Sequence, residues 1–164
     1  MSLPPFEHVV AEHGRIVLRV CRAVLAPDDA QDAAAETFLA ALRAYPRLRP
    51  DSDVRAWLVT IAHRKAIDVV RARARHAVPV ADVPDRPAPA VDPPDLDRDE
   101  DLWDAVRALP DKQRAALTYH YVADRPYAEV GALMGTSEAA ARRSAADAVK
   151  ALRGRYPARS LEEA

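Results

Sequence analysis

Along the first half of the chain, apolar residues recur at the three- and four-residue steps of an amphipathic helix. Val9, Val10, Ile16, Val17, Val20 and Val24 form one such stripe, which predicts a helix from about Pro5 to Leu25. Pro27, Asp28 and Asp29 then interrupt the pattern and supply the acids that suit a helix start. A second helix is expected from about Asp29 to Tyr45, ending before Pro46. Asp51, Ser52 and Asp53 are each suited to cap a third, from about Val54 to His76. On that third helix Val54, Trp57, Leu58 and Ile61 make an apolar stripe, and Trp57 is read as core, because a large apolar residue in a periodic stripe faces inward. From Pro79 to Pro94 there are six prolines in sixteen residues, a density that excludes helix and favours an extended linker. The periodic pattern resumes near Asp97, with four helices expected at about 99–108, 111–123, 127–134 and 138–154.

No alternating strand pattern bounded by turns is present. Only 5% of residues are aromatic although 49% are hydrophobic, because much of the apolar content is alanine, a strong helix former and a poor core filler. The fold class is therefore all-α: two small helical units joined by a linker. The single cysteine, Cys21, excludes an intrachain disulfide and, in an apolar helical stretch, reads as a small buried hydrophobe. No stretch approaches the ~20 apolar residues that span a bilayer, and the N-terminus lacks a signal pattern. A cytoplasmic protein is expected.

The net charge of −1 conceals a segregation of charge along the chain. Arg55 to His76 holds six Lys/Arg and one acid, Asp82 to Asp104 nine acids and two arginines, and Asp111 to Tyr156 eight Lys/Arg and five acids. The order is a basic helix, an acidic linker and a mildly basic C-terminal unit. At 100° per residue, Arg64, Arg71 and Arg75 share one face of the third helix. A basic face suits phosphate contact through counterion release. Asp68, four residues from Arg64 and three from Arg71, would equally suit a surface ion-pair network. Near the C-terminus, Tyr127–Met134 reads as a short helix ended by Gly135 in a left-handed position. Ser137 is placed to cap the next helix, which turns Ala141, Ala145, Ala148, Val149 and Leu152 inward and Arg142, Arg143, Lys150 and Arg153 outward. Helix, glycine turn and helix with a basic outer face form a helix-turn-helix, although an ordinary hairpin with a solvated face shares the pattern.

Taken together, these segments resemble the extracytoplasmic-function (group IV) sigma-70 family of RNA polymerase sigma factors. Asp32-Ala-Ala-Ala-Glu36-Thr37-Phe38-Leu39 looks like the acidic helix of region 2, which in the family docks on core RNA polymerase. Ala56-Trp57-Leu58-Val-Thr-Ile61-Ala62-His-Arg-Lys-Ala66-Ile67-Asp68 looks like the helix after it, which in the family serves the −10 promoter element. Leu109-Pro110-Asp-Lys-Gln113-Arg114, Tyr127-Ala-Glu129-Val130 and Gly135-Thr-Ser137-Glu138 resemble region 4, which reads the −35 element in the major groove. The resemblance covers residues 6–76 and 99–155. It implies polymerase docking by Asp32, Glu36, Phe38 and Leu39; −10 contact by Arg64, Lys65, Arg71 and Arg75; and −35 contact by Ser137, Arg142, Arg143, Lys150 and Arg153. The units run from 5–77 (region 2-like, a three-helix bundle), through 78–97 (linker) and 98–156 (region 4-like), to the tail 157–164. The implied partners are core RNA polymerase and promoter DNA, with an anti-sigma factor compatible with the family, and no membrane.

The chain departs from the family in three places. His63-Arg64 stands where the family often carries Arg-Asn, so −10 base preference does not carry over. Arg142-Arg143-Ser144 stands where a basic residue, Ser and Arg are usual. Ala146 and Asp147 occupy positions commonly basic, and an acid facing phosphate costs affinity, which shifts the expected −35 contact toward Arg142 and Arg143. In the family this linker threads toward the polymerase active-site cleft and RNA exit path, and the resemblance implies that the acidic linker here suits such a channel, built for RNA. Neutralising Asp95, Asp97, Asp99 and Asp101 would then weaken core binding or alter abortive synthesis.

His8, Glu12 and His13 match neither zincin pattern, so no metal is expected, and His8 and Glu12 can pair on a solvated face. No Gly-rich phosphate loop or nucleophile elbow occurs. The chain is expected to be no enzyme and to need no cofactor. Two rival readings stay open: a sigma-like regulator or adaptor that binds polymerase or another protein without reading promoters, and a free-standing helix-turn-helix repressor. The linker length admits two separated units or two folded together.

Overall fold

The computed structural model describes residues 2–76 and 99–155. The Pro-rich linker and the C-terminal tail lie outside the described residues, and with them the RNA-channel reading of the linker acids Asp95 and Asp97. Within those bounds all regular structure is helical: α1 (Phe6–Arg22), α2 (Pro27–Ala44), α3 (Val54–Arg75), α4 (Glu100–Arg107), α5 (Asp111–Leu117), α6 (Tyr127–Met134) and α7 (Glu138–Arg155). Pro27 opens α2, where its missing N–H has no partner to lose, with Asp28 and Asp29 in the first turn. Of the three caps considered for α3, Asp53 serves: its carboxylate accepts the Ala56 N–H at 2.9 Å. Asp99, counted above among the linker acids, instead N-caps α4 by accepting the Leu102 N–H at 3.1 Å, so neutralising it would perturb a helix end as well as a charge.

The helix expected over 111–123 is split. After Leu117 it widens into a π turn, Thr118–Val122, closed by the Ala123 N–H donating to the Thr118 carbonyl at 2.9 Å. Leu117, Thr118 and Tyr119 are consecutive and all buried. The wider turn carries Tyr119 into the apolar core. Asp124 follows at φ 56°, a left-handed conformation that Asp tolerates better than most residues.

α1, α2 and α3 pack pairwise into a bundle, and α5 and α6 each pack on α7. Alanines sit where helices approach: Ala30, Ala33 and Ala41 on α2, Ala62 and Ala66 on α3, Ala141 and Ala145 on α7 are all buried. The two halves share one core, for Val9, Val17, Val20, Leu58 and Val59 lie in one apolar cluster with Ala116, Tyr119, Val130 and Ala141. Polar ties reinforce the joint. Arg107 donates to the Arg22 and Leu25 carbonyls at 3.0 and 3.1 Å, serving chain ends that α1 leaves without partners. Arg22 pairs with Glu100 and lies 5.3 Å from the Trp103 ring centroid. Arg125 reaches Asp53 at 2.7 Å. The halves are thus folded together. No helix among the described residues is long and apolar enough to cross a membrane.

Candidate functional site

α3 presents its cations unevenly. Arg64 and Arg71 line a cleft of about 450 Å3 shared with Lys112, Arg114 and Tyr119 of α5 and its π turn, and Leu133 and Met134 of α6. Lys65 and Arg75 do not line it, so the structure gathers two of the four cations. Among the described residues no ion pair joins Asp68 to Arg64 or Arg71, against the network considered above. The helix is instead tied by Arg73 to Asp29 at 2.6 Å. Trp57 is half-buried, packed on the core beside Tyr45. His63 is turned to the joint, its ring 4.6 Å from that of Tyr119. Burial, and to a lesser degree the Arg114 guanidinium, pulls its pKa down to about 4.

On α2, Asp32, Glu36 and Leu39 are exposed in one outward stripe, at i, i+4 and i+7. Phe38 stands apart from this stripe. It is half-buried and packed against the core, because it lies next to the inward face that Ala34, Thr37 and Ala41 define. Leu42, which sequence reading missed, joins Leu39 outside: the two are 50% and 48% exposed. Leucines facing water beside carboxylates, on a helix whose core face is alanine and threonine, were the available signal.

The helix-turn-helix is built from α6, its turn and α7. Gly135 takes φ 66°; the Thr136 N–H donates to the Gly131 carbonyl at 2.8 Å and the Gly135 N–H to that of Ala132 at 3.3 Å, a Schellman ending. Ser137 Oγ accepts the Ala140 N–H at 3.1 Å, which starts α7. Gly131 was not anticipated as necessary. A Cβ there would meet the backbone of Thr136, Ser137 and Glu138 at 3.0 Å.

Along α7, Ala141, Ala145 and Ala148 are buried, while Arg142, Arg143, Lys150 and Arg153 are exposed. These four cations fall within an arc of about 100°, with exposed Ala146 between them and exposed Asp147 at the edge. Arg142 pairs with Glu138 at 2.9 Å and lies 5.0 Å from the Tyr127 ring centroid. Beside the turn, a concavity of about 320 Å3 collects Lys112, Thr136, Arg143 and Ser144. That Lys112 joins Thr136 and Ser144 there is decided by the fold, which brings α5 to the turn.

Elsewhere the chemistry is inert. Cys21 is buried, and that burial pushes its thiol up to about 12, far from a reactive thiolate. Glu12 lies 3.9 Å from His13, whereas His8 had been the partner considered. Among the described residues no group of three or more His, Cys, Asp or Glu side chains is placed to hold a metal.

The chain is similar to known proteins. The Sigma-70 region 2 family pattern matches residues 9–76, and the Sigma-70, region 4 pattern matches residues 99–152. The RNA polymerase sigma factor CarQ of Myxococcus xanthus is 34% identical over 142 residues, covering 84% of this chain and 80% of CarQ. Two solved structures share the fold. The sigma factor RpoE of Bartonella quintana, solved with the anti-sigma factor NepR, has TM-score 0.70 and 19% identity, covering 90% of this chain and 93% of RpoE. CnrH, solved with the cytosolic domain of CnrY, has TM-score 0.63 and 23% identity, covering 91% of this chain and 85% of CnrH.

Proposed function

The chain belongs to the sigma-70 family of RNA polymerase sigma factors, in the extracytoplasmic-function form built from regions 2 and 4, and from this premise we propose how its surfaces divide the work of promoter-directed initiation. The protein binds core RNA polymerase and directs transcription from specific promoters. The observation that carries the assignment of surfaces is α7: a capped helix with alanines inside and four cations outside, following a left-handed glycine.

We assign residues 5–77 to polymerase docking and the −10 element, 78–97 to the connector and 98–156 to the −35 element, with 157–164 as a tail. On α2 the docking stripe is Asp32, Glu36, Leu39 and Leu42. Phe38 supports it from behind. Carboxylates flanking exposed leucines suit a basic partner surface with an apolar centre. On α3, Arg64 and Arg71 face the −10 DNA once the cleft opens, and Lys65 and Arg75 extend the contact to flanking phosphates.

On α7 the floor of the basic face is Ala146. A small side chain there lets the helix approach base edges and suits a thymine methyl. Arg142 is the base reader. Arg143, with Lys112, Thr136 and Ser144 around it, holds a backbone phosphate, and Lys150 and Arg153 contact phosphates further along. Ser137 keeps the helix start in place. Phosphate contacts set position and few base contacts set specificity. Asp147 sits at the edge of the face, so its repulsion from phosphate is limited to one side.

The protein catalyses no step itself; phosphodiester chemistry belongs to the polymerase. It works in the cytoplasm, where the polymerase is. Chains of this fold are solved with partner proteins, the anti-sigma factor NepR and the cytosolic domain of CnrY among them, and an anti-sigma factor is a fitting regulator here too. The test of the whole reading is run-off transcription on fragmented host DNA, with core polymerase alone and with the protein added. New discrete start sites sharing upstream elements are expected. Core binding without new start sites would favour an adaptor instead. Charge reversal at Arg142 and Arg143 should then abolish promoter-specific transcripts while core binding persists.

A further inference from the structure

Four cations share the outer face of α7, and of these four only Arg142 has, among the described residues, both an ion-pair partner and an aromatic one. We propose that Tyr127 is a positioning residue: it holds Arg142 in a pre-ordered conformation, so that Arg142 reads a base edge while its neighbours contact phosphates. This rests on the assignment of α7 to the −35 element.

The geometry forms a chain of supports. Tyr127 opens α6 and is half-buried. The His120 ring stacks on it, with centroids 3.7 Å apart and planes 14° from parallel. His120 Nδ1 lies 2.8 Å from the Arg125 carbonyl; since a carbonyl only accepts, Nδ1 carries the hydrogen and the ring cannot turn freely. Arg125 is itself held by Asp53 at 2.7 Å and Glu129 at 3.4 Å. On this shelf lies the Arg142 guanidinium, 5.0 Å from the Tyr127 centroid, drawn by the ring quadrupole. Glu138, one turn earlier on α7, takes one Nη2 hydrogen at 2.9 Å. The side chain remains 58% exposed, which leaves donors of its fork open to solvent.

An arginine that reads guanine through two parallel hydrogen bonds must give up most of its rotamer freedom. One already laid on a ring gives up less, and it presents its fork in one plane. Among the described residues no ring lies under Arg143, Lys150 or Arg153. A flexible cation suits a phosphate, which accepts from many directions, better than it suits a base edge. With discrimination concentrated in one prepared residue, the chain can function with Ala146 and Asp147 where the family resemblance leads one to expect cations.

The test uses the full chain with core polymerase and a promoter library randomised at the −35 element, with transcripts counted by sequencing. Arg142→Ala should flatten the base preference at one or two positions, by about 5- to 150-fold for a lost bidentate contact. Tyr127→Ala should flatten the same positions and leave the others unchanged. Tyr127→Phe, which keeps the ring face, should retain the wild-type preference. The double variant should match Arg142→Ala alone. If Tyr127→Ala does not fold, as judged by circular dichroism and core binding, Tyr127→Leu replaces it, keeping apolar bulk without the ring. Uniform loss at every position, or an intact preference, in the Tyr127 variant would overturn the coupling. If Arg142→Ala itself leaves every position unchanged, the −35 assignment fails, and with it this inference. The two failures are thereby distinguished.

Discussion

At the joint between α3 and the π turn, His63 is kept neutral by burial. Its pKa is about 4 in the folded chain and about 6.5 in an unfolded one. Between those values the unfolded state binds a proton that the folded state does not, so stability falls as pH drops from about 6.5 to about 4 and levels off below. His63→Gln should remove much of that slope. Thermal unfolding at pH 7 and pH 5 reads it directly, and an equal loss in both proteins would mean that His63 is not the group responsible. Asp53 acts at lower pH. The Ala56 N–H, and after it Arg125, hold its carboxyl below the usual range, so its support for the α3 cap and the joint is present above pH ~4 and fades as pH falls through the depressed value. The sequence names both residues plainly: Asp53 as a cap candidate, His63 as a departure from a family pattern. That His63 faces a tyrosine 56 positions away depends on how the two halves meet, which no local pattern encodes.

Elements carry the next scale. The turn between α6 and α7 requires two glycines for different reasons. Gly135 needs its left-handed φ, and Gly135→Ala should cost about 1 kcal/mol. Gly131 needs space, because its Cα faces the backbone of the turn. Gly131→Val should cost about 1–3 kcal/mol through overpacking and should lower −35-dependent transcription more than core binding. Chemical denaturation of the two variants checks the order. On α2 the exposed pair Leu39 and Leu42 should behave as an anchor. Replacing both by alanine is expected to weaken core polymerase affinity about tenfold or more with little change in the melting temperature, since neither packs in the core. A pull-down titration with core enzyme measures it, and unchanged affinity would move the docking site elsewhere. Periodicity identifies α2 and α7 almost to the residue. It fails at 118–122, where a π turn replaces the expected helix and Tyr119 enters a core built partly by residues far away in the chain.

The whole molecule poses a problem of reach. A folded chain of this size is on the order of 35–40 Å across, whereas elements named for positions 25 base pairs apart are separated by about 85 Å of duplex. The closed body cannot place α3 and α7 on both. Residues 77–98 supply up to ~75 Å of contour, so the halves are able to part without breaking the chain. Dyes on exposed Glu12 and Asp147 should show high energy transfer in the free protein and a marked fall when core polymerase and promoter DNA are added. Unchanged transfer would mean that both elements are served by the closed form, which the distances above oppose.

The amino-acid order by itself determined the seven helices, the glycine turn, the cap at Ser137, the cations outside α7 and the resemblance to the sigma-70 family, while it left three candidates for the α3 cap. These follow from forces acting within a few residues: helical periodicity, capping and backbone freedom. Only the tertiary structure decided that Arg64 and Arg71 line a shared cleft while Lys65 and Arg75 do not, that Phe38 is half-buried against the core, that Lys112 reaches the helix-turn-helix, and that Tyr127, stacked on His120, lies under Arg142. Those facts depend on which helices share a core. Small buried alanines let several packings of the same helices look alike in sequence, and the choice among them is made by contacts between residues far apart in the chain.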